Sequence, residues 1–148
     1  MSLSSAKRKV IHERAGGCCE YCRLPEGAAS VAFHVDHFVP RKHDGTDDIA
    51  NLCLACFDCN MYKSHDLTGI DPDTGEITPL FNPRQQVWIK HFSLQSDMRI
   101  LGITAQGRTT VRVLRMNIDE RVQDRHILAE LGMYPCEETD LTEPETAS

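Results

Sequence analysis

No run of apolar residues in this chain approaches the roughly 20 needed to cross a bilayer as a helix, which argues against a helical membrane anchor. The N-terminal stretch from Met1 to Val10 is basic and lacks the apolar core of a secretory signal, so a cytoplasmic location is the expectation. No internal repeat is present. A net positive charge is missing as well: the formal charge is −6. That deficit is local, because residues 129–148 hold 6 acidic side chains and no basic one, while the remainder is nearly neutral. Basic patches on the body therefore stay available to a polyanion, with weak, salt-sensitive binding favoured over tight sequence-specific binding.

The 148 residues suit one domain large enough to bury a core, and 41% hydrophobic with 26% charged residues is ordinary for a folded protein. Cysteine is the exception to this ordinary composition. There are 7, an odd number, and four lie in the tight pairs Cys19-Glu-Tyr-Cys22 and Cys56-Phe-Asp-Cys59. Without a signal sequence, such spacing fits metal binding better than a disulfide framework. Four-coordinate zinc takes thiolates at tetrahedral angles, and two such turns close a site with Cys19, Cys22, Cys56 and Cys59. Cys53 and Cys56 are also three apart, so the pairing Cys53/Cys56 stays open at this point. Cys53 and Cys136 are expected to be packing residues.

Ser4 to Ala15 reads as a helix ended by Gly16-Gly17. Val31 to Val35 reads as a strand that delivers Asp36 and His37, and Pro40 to Asp48 as a polar loop. Asn51 to Ala55 is short and extended, and a helix starting near Asp58 carries Asn60 and Lys63. Further on, Arg84 to Phe92 looks helical, and Arg99 to Thr104 strand-like. Gly107 to Met116 leans to helix, and Asp119 to Leu131 is a helix with Val122, Ile127 and Leu131 as core contacts. These elements suggest three parts: a core over 1–68, an accessory region over 69–134 packed on it, and an acidic tail over 135–148 expected to be disordered.

Between the two thiol pairs stands Asp36-His37. Hydrolysis of a phosphodiester needs a base for the attacking water and a cation against the phosphate charge. The imidazole of His37, with an ordinary pKa of about 6.5, supplies the first. Asp36 and the side-chain oxygen of Asn60 are suited to hold a hard cation such as Mg²⁺ or Mn²⁺. Lys63, Arg41, Lys42 and His43 are the candidates for phosphate contact. His34 is a candidate to support the metal or contact phosphate, and Arg84 and His91 to line the groove.

Taken in order, Asp36-His37-x-x-Pro40, Gly45, Asn51-Leu52, Cys56-x-x-Cys59-Asn60 and Lys63 resemble the signature of HNH endonucleases in their four-cysteine zinc variant. Later motifs, among them Gly69-Ile-Asp-Pro72, Leu80-Phe-Asn-Pro-Arg84 and Gly107-Arg108-x-Thr110, are similar to those of small stand-alone bacterial HNH proteins. The resemblance implies an α+β fold with a ββα-metal core and structural zinc. It also implies a DNA-cleaving activity that leaves 5′-phosphate ends, with RNA not excluded. It makes His37 the general base and Asn51 the residue that orients the loop, and it puts Asn60 where many members have His. Strong specificity in so small a body would call for a homodimer or a protein partner. The rival readings are a zinc-stapled nucleic-acid-binding module without cleavage and, more distantly, a thiol–disulfide protein.

Overall fold

The computed structural model describes residues 3–136 as a mixture of short strands and helices; the acidic tail predicted over 135–148 lies almost wholly outside that range. Helix α1 spans Ser5–Ala15, its first turn capped by the Ser4 hydroxyl, which accepts from the Lys7 N–H at 3.2 Å. It ends where Gly16 and Gly17 take left-handed conformations (φ 63° and 70°) and their N–H groups return to the Glu13 and His12 carbonyls. Its buried residues are Ile11 and Ala15.

Strands β1 (His34–His37) and β2 (Leu52–Ala55) pair antiparallel, with Asp36 opposite Cys53 and His37 opposite Leu52. Helix α2 (Phe57–Lys63) follows directly. The strand starts three residues later than its β-branched sequence suggests. The Phe33 N–H is taken by Glu26 Oε2 at 2.9 Å before any ladder begins, and Val31 is left 51% exposed. The loop between the strands closes on itself at Gly45, where an added Cβ would lie 1.6 Å from the Val39 carbonyl oxygen. Only glycine tolerates that approach.

Two further hairpins follow: β3 (Thr68–Ile70) with β4 (Ile77–Pro79), and β5 (Phe92–Leu94) with β6 (Ile100–Gly102). The helix expected over Arg84 to Phe92 is not formed. The Asn82 side chain turns the chain by accepting from the Arg84 N–H at 2.9 Å, only Trp88–Lys90 makes a 3₁₀ turn, and Phe92 joins a ladder opposite Gly102. Cross-strand pairing and burial of Phe92 outweigh the local helical pattern. Helices α3 (Ala105–Val113) and α4 (Asp119–Glu130) are the last elements among the described residues, the first as the sequence suggests. In α4 the inward face differs from expectation. Val122 is buried, but Ile127 and Leu131 are exposed and the arginines Arg121 and Arg125 point in.

One hydrophobic cluster joins both halves of the chain, from Ile11, Tyr21 and Leu54 to Phe81, Ile100 and Leu114. Among the described residues, no helix is long and apolar enough to cross a membrane.

Candidate functional site

The turn after α1 brings Cys19 and Cys22 against Cys56, which caps α2, and Cys59 in its first turn. All four are buried, with their sulfurs within 4.8 Å of one another. The Cys22 and Cys56 sulfurs are 3.7 Å apart. A tetrahedral zinc with Zn–S bonds of about 2.3 Å places its sulfurs about 3.8 Å apart, so the donor set fits structural zinc. Protons are shared unevenly in this cluster. Burial raises the Cys19 and Cys59 thiols, whereas hydrogen bonds from Cys19, Cys56 and Cys59 lower Cys22. A dication is what would let all four ionise together.

Cys53 is not part of that cluster. Its thiol instead meets Tyr21 and Asp36, 3.4 Å from the Tyr21 hydroxyl and 3.6 Å from Asp36 Oδ2. Cys136 is not a plain packing residue either. It is disulfide-bonded to Cys18, beside the first zinc-type ligand, across a sequence separation of 118. The two thiols are held in range by local bonds: Tyr134 donates from its hydroxyl to the Cys22 carbonyl at 2.7 Å, and the Cys136 N–H reaches the Arg23 carbonyl at 3.0 Å.

A cavity of about 420 Å³ is lined by Asp36, His37, Arg41, Asn60, Ser64 and His65, among others. The strand pairing and the first turns of α2 thus bring Asp36, His37 and Asn60 to the lining of one cavity. Asp36 is 6% exposed, and its Oδ2 accepts from Tyr21 Oη at 2.9 Å and faces Lys63 Nζ at 3.4 Å. Burial raises its pKa, against the pull of Lys63 and Tyr21. Oδ1 takes part in none of these bonds, and the Asn60 side chain makes no hydrogen bond among the described residues. A carboxylate and a side-chain amide lining one cavity suit a hard divalent cation.

His37 Nε2 meets Asp47 Oδ1 at 2.7 Å, and Arg41 Nη2 meets the same oxygen at 3.0 Å. The His37 hydrogen bond, followed by Arg41, holds the Asp47 carboxyl below its usual range. A carboxylate only accepts, so Nε2 carries the proton and Nδ1 is left as the basic nitrogen. Asn51 braces the loop that holds this pair: its Oδ1 accepts from the Val39 N–H at 2.9 Å, and its Nδ2 donates to Val39 O at 3.0 Å and Thr46 O at 2.9 Å.

Lys63, expected to contact phosphate, is wholly internal. Its side chain is 0% exposed, and Nζ donates to the Phe38 carbonyl at 3.0 Å beneath the Phe38 ring. Its helical position turns it towards β1, where the buried charge of Asp36 needs a partner. Lys42 and His43 are exposed on the loop but do not line the cavity, while Arg41 does. His34 is exposed beside Phe57, at the open start of β1, and does not share the burial of Asp36. Arg84 is taken up by Glu20, and His91 is buried with Nδ1 2.7 Å from the Thr104 hydroxyl; neither lines the cavity. Asp47, Tyr21 and Arg121 were not foreseen from the sequence. Nothing in their spacing sets them apart, because each is recruited by the fold.

Arg121 reaches the thiol cluster from α4, with Nη2 3.0 Å from Cys59 Sγ and 3.8 Å from Cys56 Sγ. Burial works against its charge, but Cys59, Cys22 and Cys56 outweigh it and raise its pKa.

With known proteins, one similarity emerges: residues 19–66 match the family model of the HNH endonucleases. No curated protein and no solved structure matches the chain.

Proposed function

Starting from the HNH endonuclease domain at residues 19–66, we propose that this protein is a metal-dependent endonuclease that hydrolyses phosphodiester bonds in DNA. The observation that carries the reading is the one cavity lined by Asp36, His37 and Asn60, in a chain that also closes a four-thiol cluster. We read β1, β2 and α2 as the ββα-metal arrangement of that family, stapled by zinc on Cys19, Cys22, Cys56 and Cys59.

Asp36 and Asn60 are the residues that would hold Mg²⁺ or Mn²⁺, which when bound supplies positive charge against the scissile phosphate and the departing oxygen. His37 does the proton work. Its Nδ1 accepts a proton from a water in the cavity, the water oxygen bonds to phosphorus in line, and the bond from phosphorus to the 3′ oxygen breaks as that oxygen takes up a proton from solvent water. The products are a 5′-phosphate and a 3′-hydroxyl. Asp47 keeps the imidazole in the tautomer this requires and stabilises the imidazolium that forms. Arg41 steadies Asp47 and lies at the cavity wall, placed to meet a backbone phosphate.

Incubation of the purified protein with supercoiled plasmid, with and without Mg²⁺ or Mn²⁺, tests the reading. Nicking that depends on the metal and is lost in His37→Ala is the expected outcome. Plasmid that is bound but stays intact with zinc-loaded protein under every metal tried would instead favour a binding module.

A further inference from the structure

We propose that Arg121 is an outer partner of the four-cysteine zinc site, a fixed cation that offsets the charge of the tetrathiolate and slows loss of the metal. The proposal rests on the reading of the cluster as structural zinc. Four thiolates around Zn²⁺ carry a net charge of −2, and burying such an anion without compensation is costly. Here the sulfurs are enclosed, and the nearest cation is not on either thiol-bearing turn. It comes from α4, more than sixty residues further along the chain.

The geometry is specific to a guanidinium. Arg121 is 6% exposed. Nη2 faces Cys59 Sγ at 3.0 Å and Cys56 Sγ at 3.8 Å, while Nη1 donates to the Leu114 carbonyl at 2.7 Å, where α3 ends. Among the described residues its carboxylate partner is Asp58, whose Oδ2 is 3.8 Å from Nε and whose side chain is 45% exposed. With neutral thiols, Arg121 would be a buried cation facing uncharged sulfur. With a zinc tetrathiolate it is half of a charge-compensated unit. A lysine has no fork with which to span the sulfurs and the Leu114 carbonyl together. Arg121 therefore also ties the C-terminal helices to the core through the metal site.

The test uses the full chain, as wild type, Arg121→Lys and Arg121→Gln. Zinc content is measured first: wild type without one zinc per chain would sink the zinc reading itself, separately from the role of Arg121. Zinc release to a chelating dye is then followed in folded protein, with circular dichroism as the check on fold. Outer partners of metal ligands are worth about 10- to 100-fold in metal affinity, so Arg121→Gln should release zinc about tenfold faster or more, with Arg121→Lys in between. In Co²⁺-substituted protein the sulfur-to-metal charge-transfer band should move to lower energy in Arg121→Gln, because a thiolate relieved of a hydrogen bond is a better donor. Release at the wild-type rate with an unmoved band in both variants would overturn the proposal. Should Arg121→Gln not fold, Arg121→Lys decides, because wild-type release and an unshifted band in that variant would overturn it equally.

Discussion

His37 Nε2 and Asp47 Oδ1 stand 2.7 Å apart across the loop that joins β1 to β2, and the same carboxylate oxygen receives Arg41. This pair sets which imidazole nitrogen is basic. General-base catalysis contributes about 10²- to 10⁴-fold, so His37→Ala should lose that much in kcat. Asp47→Ala should cost less, roughly tenfold or more, because the imidazole remains but its tautomer and orientation are released. Asp47→Asn keeps an acceptor oxygen and should fall between Asp47→Ala and wild type. Single-turnover cleavage of plasmid separates these effects from binding. The Asp47 pKa is depressed, so its charge is complete above the ordinary carboxylate range of about 4 and is lost only as the pH falls below it. An acid limb of kcat between about pH 5 and 8 would therefore not be the titration of Asp47. Full activity in Asp47→Ala would reduce that residue to a loop brace.

Lys63 makes a second, opposite kind of prediction. A phosphate-contacting lysine can be removed with little effect on the fold, whereas this one is 0% exposed against a carboxylate that is 6% exposed. Replacing it with methionine leaves Asp36 buried without its cation. Breaking such a pair costs about 3–5 kcal/mol, so Lys63→Met should lower the urea midpoint markedly when unfolding is measured with excess zinc. A variant as stable as wild type but weaker in DNA binding would restore the surface role.

The contrast between these two residues shows what was legible in the sequence. Groups with fixed spacing could be read directly: the thiol pairs that meet in one cluster, and Asp36, His37 and Asn60, which line one cavity. Helix α1 was legible too, because a serine cap and a glycine stop are local signals. Interactions made across the chain were not. Lys63 has the same composition signal whether it faces phosphate or Asp36, and only the packing of α2 on β1 decides. The same holds for the 84–92 segment, where a periodic pattern lost to the pairing of Phe92 with Gly102, and for α4, whose inward arginines look like a solvated face.

Cys53 should be chemically silent. Burial, and then the neighbouring charge of Asp36, raise its pKa well above that of a free thiol, so it stays protonated in the folded state across the neutral and mildly alkaline range. Zinc-loaded, folded protein treated with iodoacetamide between about pH 7 and 9 should leave Cys53 unmodified by peptide mass mapping, and labelling should appear on unfolding. Rapid modification in the native state would mean that the Tyr21, Asp36 and Cys53 cluster opens readily, and with it the support beneath the proposed cation site.

The Cys18–Cys136 bond leads to the last prediction, because it ties the end of the described chain to the residue beside Cys19. A link across a separation of 118 residues removes much of the freedom of the unfolded chain, for which the chain-entropy picture gives about 4–5 kcal/mol and practice commonly about 2–4. Non-reduced protein should therefore have an intact mass lower by two hydrogens than reduced protein, and Cys136→Ser should unfold at clearly lower urea concentration than oxidised wild type. Because Cys136 contributes no ligand to the thiol cluster, the variant should still hold one zinc and retain its cleavage activity at moderate temperature. Wild type under a mild reductant should match it. If Cys136→Ser instead lost its zinc, the C-terminal tether would be part of what forms the site, and the loss of stability could not be assigned to chain entropy alone.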